Sequence, residues 1–339
     1  MRRTSCILRQ VLVLVCALFI GPALGLAQSD DTEAPKTPKM SVDEAIRDLD
    51  APELTKQEAA AIALYEHGPA AKTAVPTIIA ILQRDGQNVR TDLLHVLIAI
   101  GPAAADAVPA LMQTAENQDM HARYLSARAI GNMGPAAKPA VPLLLKLMDD
   151  PITSVQRRAA EALGKLGPEI APEAVPQLIK AMDHRLDPVR EQAVIAIGNF
   201  GELGKEALPK LQTALTSKTS SVRPEAALSI WKLTKDPNAV LPVLLELLET
   251  GDLEWEAAQV LGEMGPAAAP AVPDLIRALD KDESMQVSAA EALGKIGPPA
   301  ASALPALKKL LDLEEGVRVT AEAAIKAIEG EQPQQEKNS

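Results

Sequence analysis

A proline recurs along this chain at nearly constant spacing, and that argues against a single closed core. It falls at Pro76, Pro109, Pro142, Pro176, Pro209, Pro242, Pro273 and Pro305, in steps of 31 to 34 residues. A second marker keeps phase with it. Gly-Pro begins at Gly68, Gly101, Gly134, Gly167, Gly265 and Gly297, and decays to Gly201-Glu202 and Thr234-Lys235 in the fifth and sixth units. A period of this length marks stacked supersecondary units, each too small to bury its own apolar face.

Each unit reads as two helices. In the third, Gly134 is suited to the left-handed conformation that ends a helix, and Pro135 to the first turn of the next. The first helix runs to about Met148 and should bend or restart at Pro142, which lacks a backbone donor. Asp149-Asp150-Pro151 is turn chemistry, and Thr153 or Ser154 is placed to cap a second helix ending near Leu166. Counted from Val155, that helix clusters Val155, Ala159, Ala162, Leu163 and Leu166 on one side. The same slots hold Val189, Ala193, Ala196, Ile197 and Phe200 in the next unit, and Met285, Ala289, Ala292, Leu293 and Ile296 in the seventh. The sixth slot is alanine at Ala127, Ala160, Ala227, Ala258 and Ala290, which lets a neighbouring hairpin approach. Hydrophobic residues are 47% of the chain but aromatics only 2%, so alanine and leucine supply the core. That suits thin, close helices and not a β-sandwich. The expected fold is all-α: an α-solenoid of about eight hairpins over residues 41–330.

The flanks read differently. Arg2, Arg3 and Arg9, the apolar run Val11–Ile20, and small residues Gly25 and Ala27 describe a Sec-type signal peptide over residues 1–27, cleaved before Gln28. The alternative, a retained anchor, is disfavoured by the short apolar stretch. Residues 28–40 read as a polar, proline-bearing linker and 331–339 as a disordered tail. A secreted or periplasmic protein is the expectation, with no membrane span after cleavage. Both cysteines, Cys6 and Cys16, lie in the leader, so the mature chain would have no disulfide or thiolate zinc site. Losing three arginines with the leader takes the net charge from −11 to −14, which argues against nucleic acid as a partner.

The phrases VQRRAAEALGKLG from Val155, VREQAVIAIGNFG from Val189 and MQVSAAEALGKIG from Met285 resemble the short bacterial HEAT-like repeat, the form shared by bilin-lyase-type proteins. The resemblance implies an interaction scaffold whose second helices line a concave groove. It also implies a ladder of turn aspartates and second-helix arginines. The matching arginines are Arg90, Arg123, Arg190, Arg223 and Arg318, the candidate acids Asp85, Asp119 and Asp187, with breaks at Gln156, Glu254 and Gln286. Some relatives are enzymes. Bilin lyases act in the cytoplasm, which the leader argues against. Deoxyhypusine hydroxylase holds two irons with His-Glu pairs, and none of His67, His95, His121 or His184 precedes a glutamate. No metal, cofactor or catalytic residue is therefore assigned.

The third, seventh and tenth slots of the second helix are expected to face the groove. Large apolar side chains sit there in consecutive units: Ile195, Leu228, Trp231 and Trp255, with Gln259 beside them. N-terminal to them lie Tyr124, Arg128, Arg157 and Glu161. Contiguous apolar surface with aromatics and arginines is partner-binding chemistry. The competing reading is that Trp231 and Leu228 fill a gap in the irregular sixth unit. The expected function is a non-catalytic, monomeric scaffold that grips a protein or peptide segment. The alternative is a structural part of an envelope assembly that packs against itself.

Overall fold

The structure, a computed structural model, describes residues 40–86, 89–217, 222–250 and 253–330. The leader, the linker through residue 39 and the tail from residue 331 lie outside the described residues.

Among the described residues nine helix pairs follow one another. The first, α1 (Val42–Asp48) with α2 (Leu54–His67), lacks the proline marker. The eight marked pairs are α3 (Val75–Asp85) and α4 (Thr91–Ile100), α5 (Val108–Thr114) and α6 (Met120–Met133), α7 (Val141–Leu147) and α8 (Thr153–Lys165), α9 (Ala171–Ala181) and α10 (Asp187–Asn199), α11 (Leu208–Leu215) and α12 (Arg223–Thr234), α13 (Leu241–Thr250) and α14 (Glu254–Met264), α15 (Val272–Ala278) and α16 (Glu283–Ile296), and α17 (Leu304–Lys309) and α18 (Glu315–Glu329). The described chain is thus an all-α solenoid.

The first arm restarts at its proline in seven of the eight marked pairs among the described residues. A 3-10 turn such as Gly134–Ala140 passes into the α-helix Val141–Leu147, with Pro142 in its first turn, where the missing donor costs nothing. In the fourth marked pair the α-helix starts earlier, at Ala171, so Pro176 lies inside it. Gly134 does end the preceding helix at positive φ, 62°. Its ψ of −144° lies away from the left-handed helical region, in a zone close to glycine-only. The second-helix cap differs from expectation too. Neither Thr153 nor Ser154 caps α8: Ile152 is the N-cap, without a side-chain cap bond, and Asp150 Oδ1 accepts from the Ile152 N–H at 2.8 Å, closing the turn that leads into the helix.

The packing slots are as read. Val155, Ala159, Ala162, Leu163 and Leu166 are buried, and so are all five alanines of the sixth slot. One continuous core runs through the stack from Ala45 to Ile328. Among the described residues one helical run, Thr91–Thr114, is long and apolar enough to cross a membrane, but it turns at Gly101 and is largely buried among its neighbours.

The tenth slot is where the structure corrects the sequence. It does not face solvent in most units. Gly131, Gly164, Gly198, Gly262 and Gly294 meet the eighth slot of the following second helix: Ala162, Ala196, Ser229, Ala292 and Ala324. A Cβ on these glycines would lie 2.7 to 3.2 Å from the opposite Cα. These second helices therefore touch backbone to backbone, and glycine is what admits the contact. Between α12 and α14 the seam is interrupted, because Trp231 takes the glycine slot and Val260 the alanine slot.

Candidate functional site

The arginine ladder is largely replaced by a different device. Arg123 pairs with Asp150 of the next turn, at 2.7 and 3.0 Å, and not with Asp119. Asp119 instead caps its own helix, accepting from the His121 N–H. Arg90 pairs with Asp92, Arg190 with Asp187, and Arg318 with Glu322, each within its own second-helix segment, while Asp85 pairs with Arg84. Arg223 reaches Glu246 at 3.2 Å. What recurs is donation to a turn carbonyl. Arg123 donates to the carbonyl of Asn117, Arg190 to His184 and Arg223 to Leu215. Gln156 and Gln286 do the same to Asp150 and Lys281. A glutamine therefore keeps the function of the slot without the charge.

A second set of cross-unit bonds follows the eleventh slot, which sequence reading passed over. Asn132 donates to the Ile98 carbonyl and accepts from Lys165, and Asn199 donates to the Gly164 carbonyl and accepts from Lys232. Lys295 reaches Glu263 at 3.1 Å. The run Asn132, Lys165, Asn199, Lys232, Glu263, Lys295 was the signal available in the sequence.

These seams leave depressions on the second-helix face. One of about 340 Å³ is lined by Glu161, Lys165, Gln192, Ile195 and Asn199, floored by Gly164 and Ala196. Another of about 230 Å³ repeats its slots between α14 and α16, with Trp255, Gln259, Glu291 and Lys295 around Gly262.

The predicted site residues separate into three groups. Trp255, 54% exposed, and Gln259 stand in solvent. Ile195 is half-buried at its depression. Leu228 and Trp231 are half-buried against the core, and the Lys235 ammonium lies 5.0 Å from the centroid of the Trp231 ring. Their expected solvent-facing role is corrected accordingly: the fifth unit ends at Lys235 with φ 55° in place of a glycine, and Trp231 takes the glycine slot of the seam. The four apolar side chains do not form one exposed patch.

Tyr124, Arg128, Arg157 and Glu161 do converge, around a residue the sequence reading had not singled out. Arg158, only 8% exposed, stacks 4.8 Å over the Tyr124 ring, donates from Nη2 to the Tyr124 hydroxyl, and donates from Nη1 to Glu161. Lys165 also donates to Glu161, at 2.7 Å. Burial pushes the Glu161 carboxyl up, but Lys165, Arg158 and Arg157 more than reverse this and hold it below the usual range. Burial, and then the like charge of Arg158, hold the Arg128 guanidinium below its ordinary value. Farther along, acids gather. Burial and then the Glu191 charge push the Glu225 carboxyl up, and burial does the same to Glu256. The second-helix face is thus cationic around α6–α8 and acidic around α10–α14.

Three of the four histidines are engaged with backbone. His67 bonds the Met40 carbonyl, His95 the Thr91 carbonyl, and the His184 ring accepts from the Leu186 N–H.

Repeated helix pairs with a continuous core and a seam of small residues define a HEAT-type solenoid. The HEAT-repeat family model matches residues 108–198, 175–255 and 241–329, well over half of the chain, and the chain belongs to that family. No curated protein sequence matches it. Among solved structures it is similar to the karyopherin Kap121p bound to the extreme C-terminus of the protein phosphatase Cdc14p: 16% identity, TM-score 0.57, over 85% of this chain and 38% of that one. It is similar to importin β at 13% identity and TM-score 0.56, over 85% of this chain and 47% of that one. The CpcE–CpcF phycocyanin lyase complex of Nostoc sp. PCC7120 aligns over 91% of this chain and 100% of its own, at 21% identity and TM-score 0.47. The chain spans less than half the length of these karyopherins, and the likeness is one of fold.

Proposed function

We propose that the protein is a non-catalytic, monomeric scaffold that holds a segment of a partner protein along its second-helix face, outside the cytoplasm. The observation that carries this is Trp255. A large aromatic left 54% exposed beside a depression, in a chain with only two tryptophans, is the kind of side chain that anchors a protein interface. The Kap121p structure bound to a segment of Cdc14p offers a precedent for such use of the fold. The leader-like residues 1–27 support the location.

A photo-crosslinking amino acid placed at position 255 or 259 tests the reading, with position 203 on a first arm as control. Partner adducts are expected from 255 and 259 and not from 203. Equal adducts from all three positions, or none, would sink it. Adducts of the chain with itself would favour the self-packing envelope component instead.

A further inference from the structure

Glu161 and Glu291 occupy the same seventh slot on α8 and α16, and each is followed four residues on by a lysine, Lys165 and Lys295. The two pairs end differently. Lys165 donates to Glu161 at 2.7 Å. Lys295 leaves its own helix and donates to Glu263 of α14 at 3.1 Å. Gly262 permits this. A Cβ there would lie 3.1 Å from the Lys295 Cδ, so the lysine stem crosses α14 where a side chain is missing. No lysine atom comes so near at Gly131, the equivalent glycine facing α8. The Glu291 carboxylate is therefore left exposed, and among the described residues no cation pairs with it. It borders the depression of about 230 Å³ that Trp255 lines from the other helix, with its side chain 54% exposed. Lys295 is the one cation of that lining, and it is engaged with Glu263. What remains is an aromatic ring and one unpaired carboxylate, over a floor fixed by the close approach of Gly262 to Ala292.

We infer that this depression receives a basic residue of the partner segment, lysine or arginine, with its cationic group between the Trp255 ring and the Glu291 carboxylate. The inference rests on the binding-face reading above and names the chemistry of what that face takes at this end. The ring and the carboxylate both attract a cation, and the aliphatic stem of the incoming residue covers indole surface that water now touches. An acidic residue would meet the Glu291 charge, and a neutral aliphatic one would leave that carboxylate unpaired. The chain's net charge of −11 draws cationic segments toward it. The depression at Ile195 offers no such receptor, because its carboxylate, Glu161, already accepts from Arg158 and Lys165.

The test is an NMR titration of the full chain that follows its two indole N–H signals, assigned with Trp255→Phe. The probes are acetyl-Ala-Ala-Lys-Ala-Ala-amide, the same peptide with norleucine, and the same peptide with Glu. The Lys peptide is expected to move the Trp255 signal and not the Trp231 signal. It should bind about tenfold more tightly than the norleucine peptide, the combined effect of one exposed cation–π contact and one exposed ion pair. This comparison needs no variant. Glu291→Gln should weaken the Lys peptide about fivefold and leave the norleucine peptide unchanged. Glu283→Gln, the same charge lost from the exposed first turn of α16, should leave both unchanged. Equal binding of the Lys and norleucine peptides, or equal losses in the two glutamine variants, would overturn the inference. So would a Glu peptide that binds as well as the Lys peptide, or a Trp255 signal that no probe moves. Adducts at position 255 together with equal binding of the Lys and norleucine peptides would overturn this cation receptor but not the binding face. A preference for the Lys peptide without adducts would overturn the long binding face alone.

Discussion

Gly164 and Ala196 stand so close that a Cβ on the glycine would lie 2.7 Å from the alanine Cα. Neither partner is the end of a flexible side chain, so two helix backbones would have to part. Gly164→Ala is therefore expected to destabilise by about 1–3 kcal/mol, the usual range for overpacking. Elsewhere the same change helps a helix. At Gly316 an added Cβ meets only Glu283 Oε1 at 3.9 Å, so Gly316→Ala should stabilise by about 0.5–1 kcal/mol. Urea unfolding of both variants checks the contrast; shifts of the same sign would mean that the seam is not a contact.

Arg123 and Asp150 form the one cross-unit pair of the expected ladder type in which both side chains are largely buried among the described residues. Hydrogen bonding to Asp150 holds the Arg123 guanidinium above its ordinary value. Arg123→Met leaves the carboxylate desolvated with only the Ile152 N–H, and should cost about 3–5 kcal/mol. Restoring most of that loss in the double variant Arg123→Met, Asp150→Asn would show that the cost is the stranded charge. No recovery would argue for lost packing instead.

Leu163 is fully buried between hairpins, so Leu163→Asp places an unpaired carboxylate in the core. A loss above about 4 kcal/mol is expected. A melting point within about two degrees of the parent, roughly the shift that 1 kcal/mol makes in a chain of this size, would contradict the packing.

The acids of the second-helix face predict a pH response with a definite sign. The Glu225 carboxyl is pushed up by burial and by Glu191, so the folded chain holds that proton more tightly than the unfolded one. Its contribution to stability therefore falls as pH rises from the ordinary carboxylate range through the raised value. Glu225→Gln should stabilise at pH 7 and do little at about pH 3, below the ordinary range. The Glu161 carboxyl is held low, so its contribution is present above the ordinary range and lost as pH falls through the lowered value. Glu161→Gln should destabilise at pH 7, with the difference shrinking in acid. Urea midpoints of both variants at the two pH values read the two signs, and variants that moved together would sink the assignment.

The fold was largely legible because its markers are backbone chemistry. Proline and glycine positions dictate where an arm restarts and where a second helix ends, whatever the neighbours do. Burial of Val155, Ala159 and Leu163 followed from helical periodicity alone. The tenth slot was misread because periodicity gives an angle around a helix and not the distance to the next one. Gly131 and Gly164 look solvent-facing on a wheel, yet they are the contact. Arg158 was missed for a related reason. It lies in the fourth slot, toward the preceding unit, and only the stack shows that this slot meets Tyr124. Trp231 is half-buried against the core in a stretch whose flanking Gly-Pro markers are lost, a change the sequence does show.

Trp231 has one more consequence. Glycine seams lock the second helices into stiff splices on either side of it, from Gly131 to Ser229 and from Gly262 to Ala324. Where indole replaces glycine, between α12 and α14, the backbones lack that splice. That junction is therefore expected to yield more readily than the glycine-spliced ones on either side of it. A cargo strand lying across the junction would load it like a spring, and tension on the ends would be felt there first.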